Sequence, residues 1–341
     1  MKSCASVTPI IAAAALLTIA LSGCRKSPVN STPEERPRPV APGVPSVQVP
    51  FATLKPAATW KIGGTADWVV ITPDAVWVAG TAPFSLQRID PKTNKIVANV
   101  ALPGEACSGL AVAFDSVWVP LCSSPPSLVR VDTKTNQIAT TLNVGPPDSE
   151  GGIAASADSV WMITERDGTL ARIDTATNAV RQKVRIAPGS FNPVFSDGMV
   201  WVTSVEKSVL TAVDATSGEV RATIAVGPKP RFLVADAGSI WTLNQSDGSI
   251  SRVDAGTRKV VATINAGLPG LGGDIAYGAG SVWASLFELP VTRIDAATDK
   301  VVRQWKGKGG DSMRVGHDSI WLTDYRAGTL SRYPLEELLK P

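Results

Sequence analysis

Gly280-Ser281-Val282-Trp283 and Asp158-Ser159-Val160-Trp161 are two copies of one unit: a short polar turn, then Ser-Val-Trp opening an apolar strand. The tryptophans of this unit are Trp77, Trp118, Trp161, Trp201, Trp241, Trp283 and Trp321, and the steps between them are 41, 43, 40, 40, 42 and 38 residues. A second marker follows each of the first six: Arg88-Ile89-Asp90, Arg130-Val131-Asp132, Arg172-Ile173-Asp174, Ala212-Val213-Asp214, Arg252-Val253-Asp254 and Arg293-Ile294-Asp295. A strand-patterned repeat of about 40 residues predicts a propeller or a solenoid. In the fifth unit, four short runs (231–235, 239–243, 249–253 and 260–265) alternate with Gly-, Asp- and Asn-containing turns. Four strands per unit and no helical period predict an all-β fold. The expectation is a seven-bladed β-propeller of four-stranded antiparallel blades over residues 57–334.

The count of strands says how the ring closes. The seventh unit ends at Leu330-Ser331-Arg332-Tyr333-Pro334 without a fourth strand, while Thr59-Trp60-Lys61-Ile62-Gly63 precedes the first unit and matches Thr223-Ile224-Ala225-Val226-Gly227. The early segment is therefore expected to complete the last blade and remove the exposed edges of an open array. The tail, 335–341, is short and is expected to form a helical turn. Each marker also has a structural role. The tryptophan ring fills the space between blades. The aspartate accepts from backbone N–H groups of the next turn, where Asn94, Asn136 and Asn178 suit a left-handed conformation.

The chain has 341 residues, of which 44% are hydrophobic and 18% charged, with a net charge of +3. That balance, without a basic run, argues against nucleic acid as a partner. Lys2 and the apolar run 10–21 read as a secretion signal, too short to span a bilayer. It ends in Leu21-Ser22-Gly23-Cys24, which resembles the bacterial lipobox. That resemblance implies removal of residues 1–23 and lipidation of Cys24, so that the protein is attached to a membrane rather than spanning it. Residues 24–56 then form a proline-rich tether, with Pro28, Pro33, Pro37, Pro39, Pro42, Pro45, Pro50 and Pro56 favouring extended geometry. Arg25 after the cysteine implies the periplasmic face of the outer membrane in a two-membrane cell, and the cell surface otherwise. In such an oxidising compartment Cys107 and Cys122, placed symmetrically about the turn Phe114-Asp115-Ser116, are expected to pair across a hairpin. The bond would contribute ~3 kcal/mol on the chain-entropy estimate.

The Ser-Val-Trp-Val, Arg-Ile-Asp-x-x-Thr-Asn-x-Val and Ile-x-Val-Gly pattern resembles the exported YVTN-type (YncE-like) β-propellers and the related streptogramin (virginiamycin B) lyase propellers, over about residues 57–334. The resemblance implies a monomeric envelope protein that binds an unidentified protein or small molecule. Its lyase branch implies an alternative, a metal-assisted lyase or lactonase with Mg or Ca at one mouth of the ring. The resemblance implies histidine and glutamate side chains at that mouth, the histidine in the inter-blade loops. Here the one histidine, His317, stands in the turn before Trp321, on the opposite face. No Gly-x-Ser-x-Gly elbow, zinc-spaced His/Cys cluster or Walker loop is present.

A ligand is expected where the loops between blades and those joining second to third strands open on one face. These hold Asp67, Trp68, Glu150, Phe191, Arg231, Asp274 and Arg314, together with Glu165, Arg166, Glu206, Asn244, Glu288, Asp324 and Tyr325. Unlike the repeat markers, these residues differ from blade to blade. Carboxylates with Asn244 are a donor set suited to a hard cation.

Overall fold

A computed structural model describes residues 42–236 and 238–340. The expected signal segment, Cys24 and the start of the tether lie outside the described residues. Seven antiparallel sheets follow one another along the chain at 65–101, 111–142, 153–185, 190–225, 230–265, 274–306 and 313–334, numbered here as blades 1 to 7. The first six each contribute four strands, the innermost first, and the last contributes three and is completed by Ala58–Lys61 paired antiparallel with Thr329–Pro334. The sequence-based expectation of a seven-bladed β-propeller closed by its own N-terminal segment is therefore met. Trp60 stacks on Trp321 at 5.5 Å between ring centroids, and its indole N–H donates to the Asn94 carbonyl of blade 1 at 3.1 Å.

The repeat markers form one interlocking device. All seven blade tryptophans are completely buried. An indole of 150–250 Å² removed from water stabilises by roughly 4–6 kcal/mol, as an upper bound. In six blades the residue directly opposite on the neighbouring strand is arginine: Trp77 faces Arg88, Trp118 Arg130, Trp161 Arg172, Trp241 Arg252, Trp283 Arg293 and Trp321 Arg332. Each guanidinium lies over its indole at 4.9 to 5.9 Å from the ring centroid. In five of them Nε donates to the serine of Ser-Val-Trp or its equivalent, as Arg130 does to Ser116 at 2.8 Å. The far nitrogens then reach the turn of the next blade. Arg130 donates to the Thr175 carbonyl and Asn178 Oδ1, Arg252 to the Ala296 carbonyl and Asp299, and Arg332 to the Pro91 carbonyl and Asn94 across the closure. The turn that accepts them is preset by its own aspartate: Asp132 Oδ1 accepts from the N–H groups of Lys134 and Thr135 at 2.9 and 2.7 Å. The left-handed Asn136, Asn178 and Asp299 follow. Blade 4 has Ala212 opposite Trp201 and lacks the guanidinium.

Two additions lie outside the repeat. Gln48–Pro50 pairs parallel with the outer strand Lys300–Lys306, so blade 6 has a fifth strand. Gln304, buried in that strand, accepts from the Val44 N–H at 2.5 Å and donates to the Ala266 carbonyl at 2.8 Å. Gly43 donates to the Gly267 carbonyl at 2.6 Å; Gly267 is left-handed (φ +62), and a Cβ there would meet the Gly43 carbonyl oxygen at 2.7 Å. Val49, Phe51 and Leu54 pack with Tyr333 and Leu338. The tether expected to run through residue 56 thus ends sooner, because these apolar side chains have a surface to bury against. The tail forms the expected turn, the helix Leu335–Leu338, with Leu338 fully buried. Cys107 and Cys122 form the expected disulfide.

Candidate functional site

The inner strands of blades 1, 4 and 5 each carry a bulge at the mouth face. The ladder slips between Ala66 and Val69, between Ser190 and Pro193, and between Pro230 and Phe232. The residues left out of register are Asp67 and Trp68, Phe191 and Asn192, and Arg231. A bulge unpairs its extra residue and re-aims its side chain. Sequence reasoning placed Asp67, Trp68 and Arg231 in inter-blade loops; they stand instead on strand ends, where the scaffold holds them more rigidly.

Trp68 is 3% exposed and its ring meets Phe232 of blade 5 at 6.4 Å between centroids. Blades 1 and 5 are not neighbours in the ring, so this contact crosses the axis and floors the mouth. Beyond the floor the channel is walled by small apolar side chains, Val112, Ala154, Val194, Val234 and Val315 among them, and by Arg314. The Trp68 indole N–H is buried without an acceptor.

Acidic side chains converge above this floor. Burial holds the Asp67 carboxyl well above the usual carboxylate range, and the charges of Asp311, Glu150, Asp274 and Glu105 push the same way. Part of the Asp67 side chain still meets solvent in the funnel. Burial raises Glu150 as well; Arg231 opposes the shift and Asp274 adds to it. Asp311 is raised to about 7, chiefly by burial, against a hydrogen bond from the Gly273 N–H at 2.9 Å, with Glu150, Asp274 and Asp324 adding repulsion. Tyr325 at the rim is pushed up by burial and by Asp67, Glu105, Glu150 and Asp311. Like charges that share a low-dielectric recess resist ionising together.

Two basic groups answer them differently. Arg314 donates to Asp274 Oδ2 at 2.5 Å, and the same oxygen accepts from Ser312 Oγ and the Met313 N–H at 3.0 and 3.1 Å. That pair braces blades 6 and 7, with Arg314 Nη1 shared between Asp274 and the Met313 carbonyl. The Arg231 guanidinium lies over the Phe191 ring at 4.5 Å to the centroid, and its Nε is buried without a partner. Burial lowers its pKa, while Glu150 and Asp148 oppose that. Beside it a cavity of about 370 Å³ opens between blades 3 and 4, lined by Phe191, Arg166, Gly151, Gly152 and Ser190 among others.

The remaining expected mouth residues are not brought to the centre. Asn244 is fully buried within blade 5, donating to Ser249 and Ser251 Oγ at 3.0 and 2.9 Å, so it is no free oxygen donor for a cation. Its place at the end of an interior strand explains this. Glu165 pairs with Lys183 at 2.8 Å on the outer slope, and Glu288 is exposed in the second-to-third-strand turn of blade 6. Arg166 pairs with Asp148 at the cavity edge. Asp324 accepts from the Ala327 N–H at 2.9 Å and acts on Asp311 only as a nearby charge. Asp311, Asn192 and Glu105 were missed. A usable signal existed for the first: ten residues before a blade tryptophan stand Asp67, Ser108, Phe191, Arg231 and Asp311. His317 lies on the opposite face, its Nε2 at 3.0 Å from the Thr72 carbonyl. Among the described residues, no three His, Cys, Asp or Glu side chains are disposed to hold a metal ion.

No protein-family model matches the chain. No curated protein matches it either. Among solved structures, the computationally designed Ika8 protein is similar to it with a TM-score of 0.62 at 12% identity, covering 79% of this chain and 83% of that one. At that identity the likeness shows the propeller fold alone.

Proposed function

We propose that this chain is a lipid-anchored, extracytoplasmic propeller of the YVTN type that binds a small polar ligand at its acidic mouth without transforming it. The observation that carries the binding site is a set of polar groups at the mouth, Asp67 and Arg231 on strand bulges and Glu150 in the loop before blade 3, left without partners there. Nothing among the described residues donates to the Asp67 or Glu150 carboxylate, and Arg231 Nε has no acceptor. Desolvated groups without partners raise the energy of the folded protein, and a ligand that hydrogen-bonds to them recovers that energy. The recess has the form of a small-molecule site: an aromatic floor, an adjoining cavity and a few polar groups. Attachment through Cys24 and location in the cell envelope belong to this proposal on the lipobox reading. The lyase or lactonase alternative gains no donor set, because the carboxylates do not converge as a metal shell and the histidine is on the other face.

A thermal-shift screen of small polar compounds tests the site. Hits on the wild type are expected to be lost in Asp67→Asn and kept in Glu165→Gln and Glu288→Gln. Hits that survive Asp67→Asn, Glu150→Gln and Arg231→Gln alike would place the ligand elsewhere. Steady turnover of a hit would overturn the non-catalytic part. For the anchor, Cys24→Ser is expected to release a soluble, unlipidated protein, and continued membrane retention contradicts it.

A further inference from the structure

The mouth keeps opposite charges close and apart. Asn192, itself buried, donates through Nδ2 to the main-chain carbonyls of both Glu150 and Arg231, at 3.2 and 3.0 Å. Thr203 Oγ1 donates to the same Arg231 carbonyl at 2.9 Å. One amide thus braces the two backbones side by side. Yet the Glu150 and Arg231 side chains, close enough to feel each other's charge, form no ion pair among the described residues. Phe191 holds the guanidinium plane from one side. Asp148, the other acid whose charge Arg231 feels, is taken by Arg166, and Glu206 lines the same cavity. Desolvating charges of both signs without letting them pair is unfavourable for the protein alone. It becomes favourable when a guest supplies the missing partner at each end.

Building on the ligand-binding reading above, we infer that the mouth recognises a zwitterion, a small molecule carrying an ammonium group and a carboxylate. The ammonium sits over Asp67, Glu150 and Asp311, above the Trp68 floor. The carboxylate enters the cavity beside Phe191 and takes the free donors of Arg231, whose fork matches carboxylate geometry. A cation alone would leave Arg231 unsatisfied, and an anion alone would leave the carboxylates so.

Calorimetry near neutral pH with γ-aminobutyrate and ε-aminocaproate, against butylamine, hexylamine, butyrate and caproate, tests this. Each amino acid is expected to bind about tenfold or more tightly than its matched amine or acid. Arg231→Gln should cost the amino acids roughly tenfold to a hundredfold while amine binding persists, which also shows that the variant is folded. Asp67→Asn should weaken amines and amino acids together. Equal binding of amines and amino acids, lost in Asp67→Asn, would sink the zwitterion and leave the funnel reading standing. Binding untouched by Asp67→Asn and Arg231→Gln alike would sink both. No binding of any probe at millimolar concentration overturns the zwitterion inference.

Discussion

Arginine decides how much each blade leans on the next. Arg252 stacks on Trp241, bonds Ser239 at 3.0 Å and reaches the Ala296 carbonyl and Asp299 of blade 6 at 3.2 and 3.1 Å. Arg293 stacks on Trp283 and bonds Ser281 at 3.1 Å, and blade 7 has no matching turn to receive it. Charge-assisted hydrogen bonds contribute ~1.5–3 kcal/mol, and a stacked cation ~0.5–2 kcal/mol. Replacing either by methionine keeps an apolar stem over the indole. Arg252→Met is therefore expected to lose about 2 kcal/mol of stability and Arg293→Met about 1 kcal/mol less than that, read by urea unfolding. Equal losses would mean that the contact to the next blade contributes nothing. Asp311 makes a second residue-scale claim, and its sign is that of a desolvated carboxylate, opposite to that of one held by hydrogen bonds or an ion pair. Its folded pKa of about 7 lies above the ordinary 3.8, so in that window the folded state holds a proton that the unfolded chain has released. Stability should fall as pH rises from about 4 to about 7, by on the order of 4 kcal/mol from this group. Asp311→Asn should flatten that fall, and an unchanged slope contradicts the assignment. The turn aspartates act in the other direction and in another window. Backbone N–H groups hold Asp90, Asp132 and Asp254 below the usual range, and Asp214 down to about 2. Their contribution is present above about 4 and is lost on further acidification.

At the scale of elements, the strand that comes from far away in sequence completes the ring. Ala58–Lys61 supplies the fourth strand of blade 7, and Trp60 is both stacked on Trp321 and bonded to blade 1. Trp60→Ala is expected to cost ~3–5 kcal/mol, the range for a large aromatic removed from a core, and to expose the last blade's edge. Hydrogen exchange should then rise first in Thr329–Pro334. Uniform exchange with unchanged stability would mean that the ring does not depend on this closure. Blades and closure were legible because they rest on markers repeated about every 40 residues, and the disulfide because Cys107 and Cys122 stand symmetrically about one turn. The arginine stack was not read, although Arg stands 10 to 12 residues after the tryptophan in six units, because a helical or strand period does not say which residues face each other across a pair. Three strand bulges were illegible for a related reason: nothing in Thr65–Thr72 or Ser190–Ser196 marks the slipped register. Asn244 misled in the opposite way, since a polar residue at a strand end reads as exposed but here serves Ser249 and Ser251 inside the sheet.

For the molecule as a whole, the two faces have been put to different uses. The face of the turn aspartates repeats from blade to blade and joins them. The mouth face does not repeat: it carries acid from blades 1, 3, 6 and 7, amide and aromatic groups from blade 4, and a free guanidinium from blade 5. A ring closed by its own first strand can vary such loops without losing its core. The central claim, that this unrepeated face is a ligand site, is met most directly by a crystal structure of the protein with the tightest compound from the screen. The account predicts that compound above Trp68, within hydrogen-bonding distance of Asp67 or Glu150 and beside Phe191. A compound seated on the opposite face, near His317 and Thr72, with the funnel left to solvent, would contradict it.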